Sequence, residues 1–187
     1  MNKQMRIKWI NQEYEKVVEK NRGVPPDRNI DFVFWGSVES GDERYLYLKS
    51  IKETKKINSY YIGVFKGDGF TANMEGWFPM REILPILFRS RMSICFNWYD
   101  EDTNITTRLY ECMGAGVVPL LVGNDDINNF GKRWEAAKEE VGIELAEQSE
   151  QYIRVNNPQE AITTILEYTE LCGLEEMIEI MNAGWWV

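Results

Sequence analysis

Arg108 and Glu111 are the residues whose types and spacing most readily do chemistry in this chain. They stand three apart in Thr106-Thr107-Arg108-Leu109-Tyr110-Glu111, so on a helix both side chains fall on one face. An apolar run, Met92 to Phe96, and a polar loop holding Asp100, Asp102 and Asn104 precede them. The helix is expected over Thr106 to Ala115, broken by Gly114 and Gly116, with a second apolar run, Val117 to Val122, beyond it. Strand, loop, helix and strand make one βαβ unit, and in parallel sheets ligands lie past the carboxyl ends of the strands, against helix N-termini. A guanidinium forks onto phosphate oxygens, and a carboxylate accepts two hydrogen bonds from a ribose diol. Beside the free amides of a first helical turn, the pair suits a phosphorylated sugar. The blander reading is an ordinary helical ion pair, worth about 0.2–0.5 kcal/mol. Asp100, Glu101 and Asp102 read as capping and solvated loop charges, so no metal is assigned. Asp100 is the only carboxylate kept as a candidate catalytic group near a sugar.

The elements that must position this unit follow from periodicity. Residues 2–20 place Met5, Trp9, Ile10, Tyr14, Val17 and Val18 at helical spacing, and Asn21-Arg22-Gly23 with Pro25-Pro26 end the segment. Residues 1–28 thus form an amphipathic helix and linker, either packed on the domain that spans 29–187 or bridging to another domain. Ile30 to Trp35 reads as the first buried strand. It runs into Gly36-Ser37-Val38-Glu39-Ser40-Gly41, a turn whose amides could cradle an anion. A helix follows from Asp42 to about Thr54, then a strand from Tyr60 to Phe65 and a glycine-rich excursion to Gly76. Pro79 opens a helix from Arg81 to about Arg89, with Pro85 inside it. Asp125 to Glu140 reads as a helix, Gln151 to Val155 as a short strand, and Pro158 to Leu171 and Leu174 to Met181 as closing helices. The alternation predicts an α/β fold: a single Rossmann-like domain, its mostly parallel sheet covered by helices on both faces.

With 187 residues and 44% hydrophobic content, the chain suits one α/β domain with a full core. No apolar run is long enough for a bilayer, and residues after Met1 are polar and charged, so neither a membrane nor a leader is expected. Cys95, Cys112 and Cys172 are odd in number and lack metal spacing, which predicts free buried thiols and a cytoplasmic protein. The formal net charge is -9, with the region beyond Asp125 heavily acidic, so any contact with DNA is expected to be indirect. Histidine is absent, so acid/base chemistry must use carboxylates or come from another chain. Trp185 and Trp186 close the chain and are expected either to fold back or to form an interface, including one between copies.

Four motifs in order give the chain a resemblance to the C-terminal, donor-binding half of GT-B glycosyltransferases, most closely the phage DNA β-glucosyltransferases. They are the strand ending in Gly36-Ser37 with Ser40-Gly41 after it; the strand ending near Gly63; Gly76-x-x-Pro79-Met80 opening a helix; and the acidic loop leading into Thr106-x-Arg108-x-x-Glu111-x-Met113. The resemblance covers Asp31 to about Asp125. It implies a UDP-sugar site, with UDP-glucose the expected donor substrate and no further cofactor. Glu111 would clasp the ribose hydroxyls, and Arg108 would serve the diphosphate and sugar. The backbone around Trp77 and Phe78 would frame the uracil, with Gly36 and Ser37 beside the phosphates and Thr106 at the helix start. Two departures stand out. Where the family places arginines against the diphosphate, this chain has Glu39 and Glu43, with Arg44 one place along. The family's catalytic carboxylate and acceptor surface lie in an N-terminal domain, whereas about thirty residues precede the first strand here.

Two functions follow from this reading. One is the donor half of a sugar transferase, phage-encoded and DNA-modifying if the resemblance runs that far. It would work in the host cytoplasm, its acceptor half supplied by another chain or a second copy. The other is a non-catalytic module that binds a nucleotide or nucleotide sugar, or serves assembly, on the same fold.

Overall fold

The computed structural model describes residues 3–67, 69–96, 107–122 and 153–171. Helix α1 (Lys3–Lys20) leads into β1 (Ile30–Glu39), α2 (Glu43–Glu53), β2 (Ser59–Lys66), β3 (Met74–Glu75) and α3 (Met80–Leu87). Next come β4 (Ser90–Phe96), α4 (Thr107–Ala115), β5 (Val118–Val122), β6 (Ile153–Val155) and α5 (Pro158–Leu171). The six strands form one sheet in the order β3-β2-β1-β4-β5-β6, and every pairing is parallel. The domain is therefore α/β and Rossmann-like. β1 and β4 read as near-continuous apolar runs because both faces of a central parallel strand are covered.

The two faces carry separate cores. On one, Ile7, Ile10 and Tyr14 of α1, Ile83, Leu84 and Leu87 of α3 and Leu109 and Cys112 of α4 meet Val33 and Trp35 of β1. On the other, Leu48 and Ile51 of α2 and Ala161 and Ile165 of α5 meet Phe32, Phe34, Met92 and Ile94. Helix α1 thus packs on this domain and lies against α4. Gly114, expected to break α4, instead lies inside it. A Cβ there would stand 2.9 Å from the Cβ of Ile10, so the missing side chain is what lets α1 approach. The helix ends at Gly116, whose φ of 64° is the left-handed conformation glycine adopts cheaply.

Local signals set the other boundaries. Asp42 caps α2, its side chain accepting from the Arg44 amide at 2.9 Å. At α5, Asn157 accepts from the Glu160 amide, Glu160 reaches back to the Asn156 amide, and Pro158 takes the first helical position. Strand β3 was hidden in the glycine-rich excursion, since two residues carry no readable period. The helices expected over Asp125 to Glu140 and Leu174 to Met181 lie outside the described residues, as do Cys172, Trp185 and Trp186. Among the described residues no helix is long and apolar enough to cross a membrane.

Arg28 pins the linker to the amino edge of the sheet. It is 4% exposed and donates to the carbonyls of Ser90 and of Ala115, the last residue of α4. Burial pulls its pKa down to about 10, yet the guanidinium stays charged at neutral pH. The carbonyl end of α4 is the negative end of a helix dipole, which suits that charge. Arg28→Met leaves two buried carbonyls without their donor, so denaturant unfolding should show a loss of about 2–4 kcal/mol. A loss below about 0.5 kcal/mol would mean that the two bonds contribute nothing.

Candidate functional site

The order of strands reverses between β1 and β4, one leading out to β3 and the other to β6. Open parallel sheets bind ligands at such a switch point, past the carboxyl ends of the strands. Here the two strands also part. The β1–β4 ladder runs from Ile30↔Ser90 to Val33↔Ser93 and stops. By contrast β1 stays paired with β2 to Glu39↔Lys66, and β4 with β5 to Phe96↔Val122. A gap thus opens at the carboxyl ends, and α4 starts beside it.

Arg108, in the first turn of α4, reaches this gap. Its Nη2 donates to the Trp35 carbonyl, and its guanidinium carbon sits 4.3 Å from the Phe34 ring centroid and 5.2 Å from that of Trp35. The cation is held against aromatic faces, where a planar guanidinium can stack and still donate hydrogen bonds at its edge. Its Nε is buried without a hydrogen-bond partner among the described residues. Burial lowers its pKa, and the nearby Arg44 adds to that, while Glu111 acts the other way. Buried donors left open usually mark a missing partner.

Gly36 makes room for Arg108. A Cβ on Gly36 would stand 2.8 Å from Arg108 Nη2. Gly36 pairs with Gly63 on β2, and the Gly76 amide donates to the Gly63 carbonyl at 3.1 Å. The three φ angles, 136°, 137° and 126°, are open only to glycine. Gly36 and Gly63 thus leave one level of two adjacent strands without side chains, while Gly76 follows directly after β3, whose Glu75 is the residue paired with Gly63. Arg108 stands beside Gly36. Directly after Gly76 is Trp77, which is 77% exposed, with Phe78 packed inward on the α1/α3/α4 core.

The expected glycine–serine anion turn is not where the sequence placed it. Strand β1 continues through Gly36 and Ser37 to Glu39, because β2 offers a partner at every step and Val38 is buried. Ser37 is exposed in the strand beside Gly36. Glu39 bonds Lys66 of β2 at 2.8 Å on the exposed end of the ladder, which holds its carboxyl below the usual range. Glu43 is exposed in the first turn of α2, where an acidic side chain suits the helix dipole. Arg44, the cation one place along from the position where the family has arginine, is bonded to Asp42, with Nε to Oδ2 at 2.6 Å.

Glu111 departs furthest from expectation. It is 4% exposed, and both oxygens are engaged within the fold. Oε2 accepts from Trp35 Nε1 at 2.9 Å, and Oε1 pairs with Arg6 Nη2 at 2.7 Å. Burial raises its pKa, opposed by Arg6, the Trp35 bond and Arg108. Arg6 comes from α1 and itself has a buried Nε with no hydrogen-bond partner among the described residues. Sequence reasoning missed Arg6 altogether, since only the docking of α1 on α4 brings it to Glu111. Beneath this cluster Cys95 and Cys112 are free and buried, as expected, the Cys112 thiol pushed well up by burial and by its bond with Cys95.

The structure therefore brings Gly36, Arg108 and Glu111 together around Trp35, with Ser37 next along β1, Arg44 held by Asp42, and Trp77 and Phe78 just after β3. Asp100 and Thr106 lie outside the described residues. No known protein family's profile matches this chain, and no curated protein matches it significantly in sequence.

Proposed function

We propose that the chain binds a nucleotide sugar, with a UDP-sugar and foremost UDP-glucose as the ligand, across the gap between β1 and β4. It would act as the donor half of a glycosyltransferase whose acceptor half is another polypeptide or a second copy. The observation that carries this reading is Arg108, set on aromatic faces at a topological switch point with a buried donor that no described residue fills. The glycine pair Gly36 and Gly63 supports it, leaving the strands beside that cation without side chains at that level. Arg108 would hold the diphosphate, and the chain's share of catalysis would be positioning and stabilising the leaving group.

A second reading, a non-catalytic nucleotide-binding module, gains from one observation: the carboxylate expected to hold the ribose is occupied by Arg6 and Trp35. Calorimetry with UDP and UDP-glucose tests what the two readings share, and micromolar binding is the expected result. Release of UDP from UDP-glucose in the presence of hydroxymethylated DNA, with and without a co-purifying partner, separates them. Binding without release in any combination leaves the module. Failure to bind either ligand ends both.

A further inference from the structure

The strongest unused feature is the clasp that closes Glu111. A carboxylate has lone pairs for about four hydrogen bonds, but a buried one can serve only groups that reach it. Trp35 takes one oxygen from the sheet and Arg6 the other from α1. The Arg6 side chain is 29% exposed and that of Glu111 6%, so the arginine lies on the solvent side of the acid. A ribose diol approaching Glu111 would meet the guanidinium first. To bond the acid it must displace an ion pair, in which both groups are charged, with a hydrogen bond in which only the acid is charged.

We infer that Arg6 occupies the seat a ribose diol would take, so that this site selects its ligand by phosphate and does not distinguish ribose from its deoxy forms. The inference rests on the nucleotide reading above and refines it. Helix α1 becomes the specificity element, and the sugar-reading carboxylate is a structural acid so long as α1 is docked. Gly114 and Ile10 set how close α1 comes, and so hold Arg6 in reach.

The test compares UDP with 2′,3′-dideoxyuridine diphosphate by calorimetry on the full chain. In the wild type the two dissociation constants should agree within about twofold. Arg6→Met frees one Glu111 oxygen, and UDP should then bind about tenfold more tightly than the dideoxy ligand, the worth of one hydrogen bond to a charged group. Adding Glu111→Gln to Arg6→Met should shrink that preference. Should Arg6→Met fail to fold, Glu111→Gln alone decides: it should alter both affinities by the same factor. A tenfold ribose preference in the wild type, an unchanged ratio in folded Arg6→Met, or a loss confined to UDP in Glu111→Gln each overturns the inference while leaving nucleotide binding intact. Absence of binding by any folded form overturns the nucleotide reading itself, and this refinement with it.

Discussion

Gly63→Ala is expected to unfold the domain at growth temperature. A Cβ at residue 63 would stand 1.8 Å from the Gly36 carbonyl oxygen and 2.8 Å from its carbon. These are backbone atoms of the neighbouring strand, so no side chain can swing aside. Relief would require β1 and β2 to separate at the point where their ladder continues to Glu39↔Lys66. The φ of 137° adds its own cost, about 1–3 kcal/mol for a residue with a Cβ. Together these should exceed about 4 kcal/mol, a large part of a domain's whole stability. Thermal melts by circular dichroism should show a fall of about 10 °C or more, or no soluble protein. Gly76→Ala is the comparison, since its φ of 126° is strained but its Cβ would meet only Phe78 at 3.9 Å. It should lose about 1–3 kcal/mol. Equal melting of Gly63→Ala and wild type would remove the close approach of β1 and β2 at Gly36 and Gly63.

Arg108→Met should weaken UDP binding by at least thirtyfold, about 2 kcal/mol. Methionine keeps an apolar stem against Phe34 and Trp35 but cannot donate to a phosphate or to the Trp35 carbonyl. The fold should lose less than in Arg28→Met, since one carbonyl, that of Trp35, loses its donor where Arg28 serves two. Arg108→Lys should recover only part of the affinity, since an ammonium cannot lie flat on the two rings. Calorimetry at two salt concentrations checks the electrostatic origin: wild-type affinity should fall with salt more steeply than that of the methionine variant. If Arg108→Met binds UDP as the wild type does, the guanidinium serves only to close the end of β1. The candidate site then loses its anchor.

How much of this was legible beforehand follows from the range of each signal. The ends of α2 and α5 lie close to the residues that Asp42, Asn157, Pro158 and Glu160 mark, because caps act within one turn. β1, β2, β4 and β5 were visible as apolar runs since each is buried on two faces. β3 was not, since two residues on the rim of a sheet have no period to read. The anion turn was misplaced because glycine and serine usually end strands, whereas here φ angles near 136° let the strand run on.

The amino-acid sequence alone determined the α/β alternation, the parallel sheet, and the placing of Arg108 and Glu111 one turn apart on a helix beside the carboxyl edge. Local periodicity and short-range sterics are enough for that. Only the tertiary structure decided what those side chains face. The partner of Glu111 on β1 is 76 residues away, and its ion-pair partner sits on the first helix. Whether that acid is open to a ligand depends on how closely α1 crosses α4 at Gly114. Such an approach belongs to no local stretch of chain, since it arises where two helices pack on one sheet face.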